Sequence, residues 1–214
     1  MSRMIDRGLE EQLVLLAKMG ELTYETLSLS MHGYLQDKSV ILQVQEMSDT
    51  LVAMANKVED QTFQLIARFQ PVASDLRAIK SHMKIGYDFA RYGKYALDIS
   101  SINDHISGLK ECDCSTIDYV HEMSDKVLSM VRISIDALKK QDIALAKTVT
   151  QTEREVDQMY LTLLNKLITE QQINSKCVLS SALMTRYLER IADHAVYICE
   201  SVVYIATGEK ISLS

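Results

Sequence analysis

Tyr187-Leu-Glu-Arg-Ile-Ala-Asp-His-Ala-Val-Tyr-Ile-Cys-Glu200 contains neither glycine nor proline, so it can run as one unbroken helix. Glu189 and Asp193 stand four residues apart, which at about 100° per residue sets them within roughly 40° of one another on the helix surface. Glu200 falls on the same line, as do Val196 and Val203. The carboxylates therefore continue an apolar stripe instead of opposing it. Glu153 and Asp157 repeat the arrangement, in line with Tyr160 and Leu164. Unpaired carboxylates are costly to bury, so carboxylates on a core-facing stripe need a cation. The remainder of the chain reads as a scaffold that brings these two pairs together.

Outward from this stretch, helical patterning covers almost the whole chain. Only 7 Gly and 1 Pro interrupt 214 residues, and the dominant residues are good helix formers. The spacing predicts helices over about 2–36, 40–69, 72–106, 115–140, 142–171 and 175–207. Their packing lines include Leu16, Leu27 and Met31, then Val44, Leu51 and Val58, then Ile79, Met83, Gly86, Ala90, Gly93 and Ile102. Gly86 and Gly93 suggest close helix approach. Asp37-Lys-Ser39 is a polar break able to cap the next helix, Pro71 ends the second helix, and Gly208 suits a C-cap. The fold class is all-α.

The formal net charge is −6, without a Lys/Arg-rich run, which excludes a nucleic-acid binder. No signal peptide or membrane-length apolar run is visible, so the sequence predicts a cytoplasmic protein that meets a membrane only through a partner. In that compartment Cys112, Cys114, Cys177 and Cys199 are expected as free thiols. Cys112-Asp-Cys114 also has the makings of a soft-metal contact, but no second pair follows at zinc-site spacing.

The chain carries an internal repeat. Asp37 aligns with Asp142 at an offset of 105, and Arg91–Ile99 with Arg190–Ile198 at an offset of 99. The sequence predicts two tandem three-helix bundles, residues 1–107 and 115–214, split near Ser107–Cys114.

Two motifs then resemble a known family. Leu65-Ile-Ala-Arg-Phe-Gln-Pro-Val-Ala-Ser-Asp-Leu-Arg77 resembles the interhelical signature of PhoU proteins, and Leu188-Glu-Arg-Ile-Ala-Asp-His-Ala-Val-Tyr-Ile198 their Glu-Arg-Ile-Gly-Asp motif. The resemblance implies two three-helix bundles with pseudo-twofold symmetry, often as a homodimer. It implies a regulator of phosphate uptake that binds a phosphate transporter, through its ATPase subunit or another cytosolic face, and in many bacteria a sensor histidine kinase. It also implies metal binding through paired Glu/Asp-x-x-x-Asp motifs, one pair per repeat.

The second repeat carries its motif intact in Glu153, Asp157, Glu189 and Asp193. The offsets place Ser48, Val52, Ala90 and Lys94 at the equivalent points of the first repeat, so metal is expected only in the second. The cofactor this implies is a divalent or trivalent metal ion (Mg, Mn, Fe, Ca or Zn), and all-oxygen ligation suits the hard ions best. The competing reading is a solvated acidic face paired with Arg154 and Arg190. His194 adjoins Asp193 but lies about 100° around the helix, as a packed or exposed histidine. A non-catalytic regulator is the leading function. A metal-dependent hydrolase or oxidase using the same carboxylates is the alternative, although no separate base, nucleophile or substrate clamp accompanies them.

Overall fold

The computed structural model describes residues 4–106, 108–169 and 173–214. In chain order they form α1 (Met4–Gln36), α2 (Ile41–Phe69), α3 (Ala73–Ile106), a 3-10 turn (Gly108–Glu111), α4 (Cys114–Lys140), α5 (Ile143–Lys147), α6 (Val149–Thr169) and α7 (Ser175–Thr207). Short connections make neighbouring helices antiparallel. α1, α2 and α3 pack as one bundle and α4, α6 and α7 as a second, with α3 against α7 and α1 against α4. The break between α3 and α4 lies between the two bundles. Ser107 and Gln171, which the sequence placed at a break and a helix end, lie outside the described residues.

The bundles share one core. Leu16, Leu51, Phe89, Ile135, Met184 and Val202 belong to the same buried cluster although they come from both halves. Polar contacts also cross the junction: Tyr34 Oη lies 2.7 Å from Ser180 Oγ, and Glu21 of α1 accepts from Arg132 and Lys139 at 2.9 Å each. α3 is buried on two sides, through Ile79, Ile85, Phe89, Tyr92 and Ile99. Its predicted packing line was only partly right, since Met83 is 39% exposed. A helix gripped from two directions has two stripes, and a single period of 3.6 cannot describe both.

Gly93 does permit a close approach. A Cβ there would stand 3.2 Å from the Ser48 Cα of α2 and 3.0 Å from Leu51 Cδ1. Gly86 does not need to be glycine, because its Cβ would meet Val58 at an ordinary 3.5 Å.

Three local expectations are corrected. The predicted helix over 142–171 is broken at Thr148, whose hydroxyl and backbone N–H both go to Leu145 O, at 2.7 and 3.1 Å. The β-branched run Thr148-Val-Thr150 is a weak helix former and favours such a break. Asp37-Lys-Ser39 does not cap α2: the N-cap residue is Val40, with no side-chain bond, and Ser39 donates instead to Asp104 at 2.7 Å. Cys112 and Cys177 are not free thiols but a disulfide. The 3-10 turn packs on the first turn of α7 and sets their Cα atoms 5.0 Å apart, within disulfide range. That pairing also removes Cys112-Asp-Cys114 as a soft-metal contact, leaving Cys114 exposed and Cys199 buried as free thiols. Gly208 at φ 77° ends α7 as expected.

Candidate metal centre

α6 and α7 pack against each other, and each presents one of the predicted carboxylate pairs. On α6 the buried stripe is Val149, Glu153, Val156, Met159 and Leu163, so Glu153 stands among core residues at 4% exposure. Asp157, one turn on, is exposed at the edge of that stripe, where the sequence had placed it inside. On α7, Glu189 and Asp193 are partly buried, with 15% and 22% of their side chains exposed. Val196 and Val203 below them are fully packed.

The structure brings three of the four together. Ligand oxygens of Glu153, Asp157 and Asp193 lie within 4.8 Å of one another. Glu189 stands aside from this group. Its Oε2 accepts from Arg186 Nη1 at 2.8 Å and has Arg190 at 3.8 Å. Arg190 also lies 3.5 Å from Asp193. The expected Arg190 pairing is therefore present, and Arg186, three residues before Glu189, is the partner that the sequence reading missed. Glu200 leaves the acidic line altogether: it accepts from the Leu213 backbone N–H at 3.1 Å and fastens the C-terminal segment.

The electrostatics follow from this placement. Burial pushes the Glu153 carboxyl above its ordinary 4.5, and the neighbouring Asp157 and Asp193 push it further. Glu189 is raised by burial and then by Asp193, against the lowering effect of Arg186 and Arg190. Asp193 is raised by burial, although Arg190 opposes it. Glu153 Oε2 is buried with no hydrogen-bond partner among the described residues. A hard cation would satisfy that oxygen and relieve the repulsion.

His194 points away from the three carboxylates. Its Nδ1 lies 2.9 Å from Asp88 Oδ1 and its Nε2 3.3 Å from Tyr95 Oη, both on α3. It is a packed histidine at the junction of the bundles.

The first repeat has no acidic cluster of this kind among the described residues. Ser48 is buried beneath Gly93, and Lys94 Nζ lies 3.7 Å from Asp49. Asp88 is committed to His194.

A family model described as the PhoU domain matches this chain twice, over residues 16–102 and 120–202. The chain belongs to the PhoU family. Its two PhoU domains fall one in each bundle. Among PhoU relatives, it is 32% identical to the phosphate-specific transport system accessory protein PhoU homolog of Pseudomonas putida, over 97% of this chain and 82% of that protein. It is 31% identical to the homolog of that name from Clostridium acetobutylicum, over 84% and 83% of the two chains. The crystal structure of PhoU from Pseudomonas aeruginosa superposes with a TM-score of 0.89 at 30% identity, covering 95% of this chain and 99% of that one. No helix among the described residues is long and apolar enough to cross a membrane.

Proposed function

We propose that this PhoU protein is a non-catalytic regulator of phosphate uptake and phosphate-dependent signalling. It acts by contact with a phosphate transporter, at the ATPase subunit or another cytosolic face, and with a sensor histidine kinase where one exists. The observation that carries this reading is the paired PhoU domain along the chain, shared with relatives named as accessory proteins of phosphate-specific transport. On this reading the protein works in the cytoplasm, as a homodimer, with residues 1–107 and 115–214 as its two units.

A hard divalent or trivalent ion belongs to the second unit. Glu153, Asp157 and Asp193 would hold it, with Glu189 beside them on Arg186. The support is the orphaned buried oxygen of Glu153 and a donor set made only of carboxylates. Such an ion would supply fixed positive charge where three carboxylates crowd.

Two measurements test this. Affinity capture from cells grown in high and low phosphate should recover a phosphate-transporter subunit; its absence under both conditions overturns the regulatory reading. Calorimetric titration with Mn²⁺ should show binding weakened at least tenfold by Glu153→Gln with Asp193→Asn. Equal binding by that variant overturns the metal site.

A further inference from the structure

In the first repeat, the place that corresponds to the carboxylate site is a groove of inverted charge. Val52, Ala90 and Lys94, three of the four equivalent positions, line an opening of about 620 Å³ between α2 and α3. Its apolar side includes Met83 and Tyr87, which are 39% and 60% exposed. Lys80, Lys84 and Arg91 line it as well. Positions 80, 84, 87, 91 and 94 fall within an arc of roughly 80° on one helix. Four cations thus form a ridge along α3, with Tyr87 in their midst and Met83 and Ala90 beside them toward α2. The ridge from Lys80 to Lys94 is about 21 Å long at 1.5 Å per residue.

These cations are little used within the fold. Lys94 lies 3.7 Å from Asp49, with both side chains well exposed. Arg91 donates to Tyr95 Oη at 3.0 Å and has Asp98 as its longer-range acidic neighbour. Lys84 lies 5.1 Å from the centre of the Tyr197 ring. Lys80, Lys84 and Arg91 form no ion pair with a carboxylate within 4.0 Å among the described residues. Glu59, across on α2, is the single acid in the lining. On a chain of net charge −6, this row of cations is a local feature of α3, and its Lys80 and Lys84 also border a neighbouring opening that holds Glu200 and Lys210.

We propose that the α2–α3 groove docks an acidic amphipathic helix supplied by a partner protein. An apolar stripe would lie on Val52, Met83 and Ala90, with carboxylates meeting the α3 ridge, the helix-in-groove mode of recognition. The length of the ridge fits about four turns of such a helix. A lipid surface is flat and cannot enter the opening, and a polyphosphate backbone has no apolar side to offer the floor. The inference is independent of the metal site and of any link to phosphate.

The test is selection from a phage-displayed library of helical peptides on the full-length protein. Enriched peptides should carry Asp or Glu flanking an apolar stripe at three- and four-residue steps. Their affinity should fall at least tenfold for Lys80→Glu with Lys84→Glu, and several-fold for Tyr87→Ser. The three side chains are exposed, so circular dichroism and the thermal midpoint should stay unchanged and mark these losses as local. Enrichment without acidic bias, or affinity indifferent to charge reversal, overturns the proposal. So does co-sedimentation with phosphatidylglycerol vesicles that charge reversal abolishes while no acidic peptide is enriched; that result assigns the ridge to a membrane surface.

Discussion

Asp88 of α3 and His194 of α7 meet at 2.9 Å, with 3% and 12% of their side chains exposed, so the contact between the bundles includes a nearly dry polar pair. The other Asp88 oxygen has no partner among the described residues. His194→Ala should therefore leave a buried carboxyl group without a partner at either oxygen and cost about 1–3 kcal/mol. Asp88→Ala in the same chain should recover much of that loss, giving strong non-additivity in urea unfolding. Additive losses from the two substitutions would sever the proposed coupling.

His82 sets an acid limit. It sits at 4% exposure with Nδ1 3.2 Å from Gln12 Oε1, and Gln12 in turn donates to Thr62 at 3.0 Å. Burial depresses its pKa from 6.5 to about 4. Between those values the unfolded chain binds more protons than the folded one, so stability rises with pH across that window and is lost as pH falls. Burial of the neutral ring makes this at most about 3 kcal/mol. His82→Gln should flatten the dependence of the unfolding free energy between about pH 6.5 and 4; an unchanged slope would place the acid sensitivity elsewhere.

The Cys112–Cys177 bridge closes a loop of 65 residues. By loop-closure entropy, opening it should cost up to about 4 kcal/mol. Alkylation of the unfolded, unreduced protein should label Cys114 and Cys199 alone. Cys112→Ser with Cys177→Ser should lower the urea midpoint, and labelling of all four cysteines would show that the bridge is not formed.

Gly93 and Gly86 should respond with opposite signs. At Gly93 a methyl group would press on the Ser48 backbone, which cannot move aside, and overpacking costs about 1–3 kcal/mol. At Gly86 the space is ordinary, so alanine should gain up to about 1 kcal/mol of helix propensity. Urea unfolding of Gly93→Ala and Gly86→Ala decides; a stabilised Gly93→Ala would mean that α2 and α3 are farther apart than the structure has them.

Much of the architecture was legible because helix formers, sparse breakers and an internal offset all point the same way. The site was legible to the extent that helical spacing governs it. Glu153 lies on the buried face of α6 and Asp193 faces it, whereas Asp157 drifts to the edge because a four-residue step turns a further 40°. Glu189 departs from the group for a reason also written locally, Arg186 three residues away. What spacing cannot supply is distance between remote segments. The meeting of Cys112 with Cys177, and of Asp88 with His194, depends on how α7 seats against the 3-10 turn and α3. The compartment argument for free thiols had no access to that geometry.

The single core running through both bundles has one further consequence. A chain severed at Gly108–Glu111 would yield two fragments, each with a bare apolar wall where its sibling had stood: Phe89 and Ile99 on one, Ile135 and Val202 on the other. The two halves are therefore mutually dependent parts of one core. Expressed alone, either half should seek a cover for that wall, and the cover nearest to hand is the severed half of another copy.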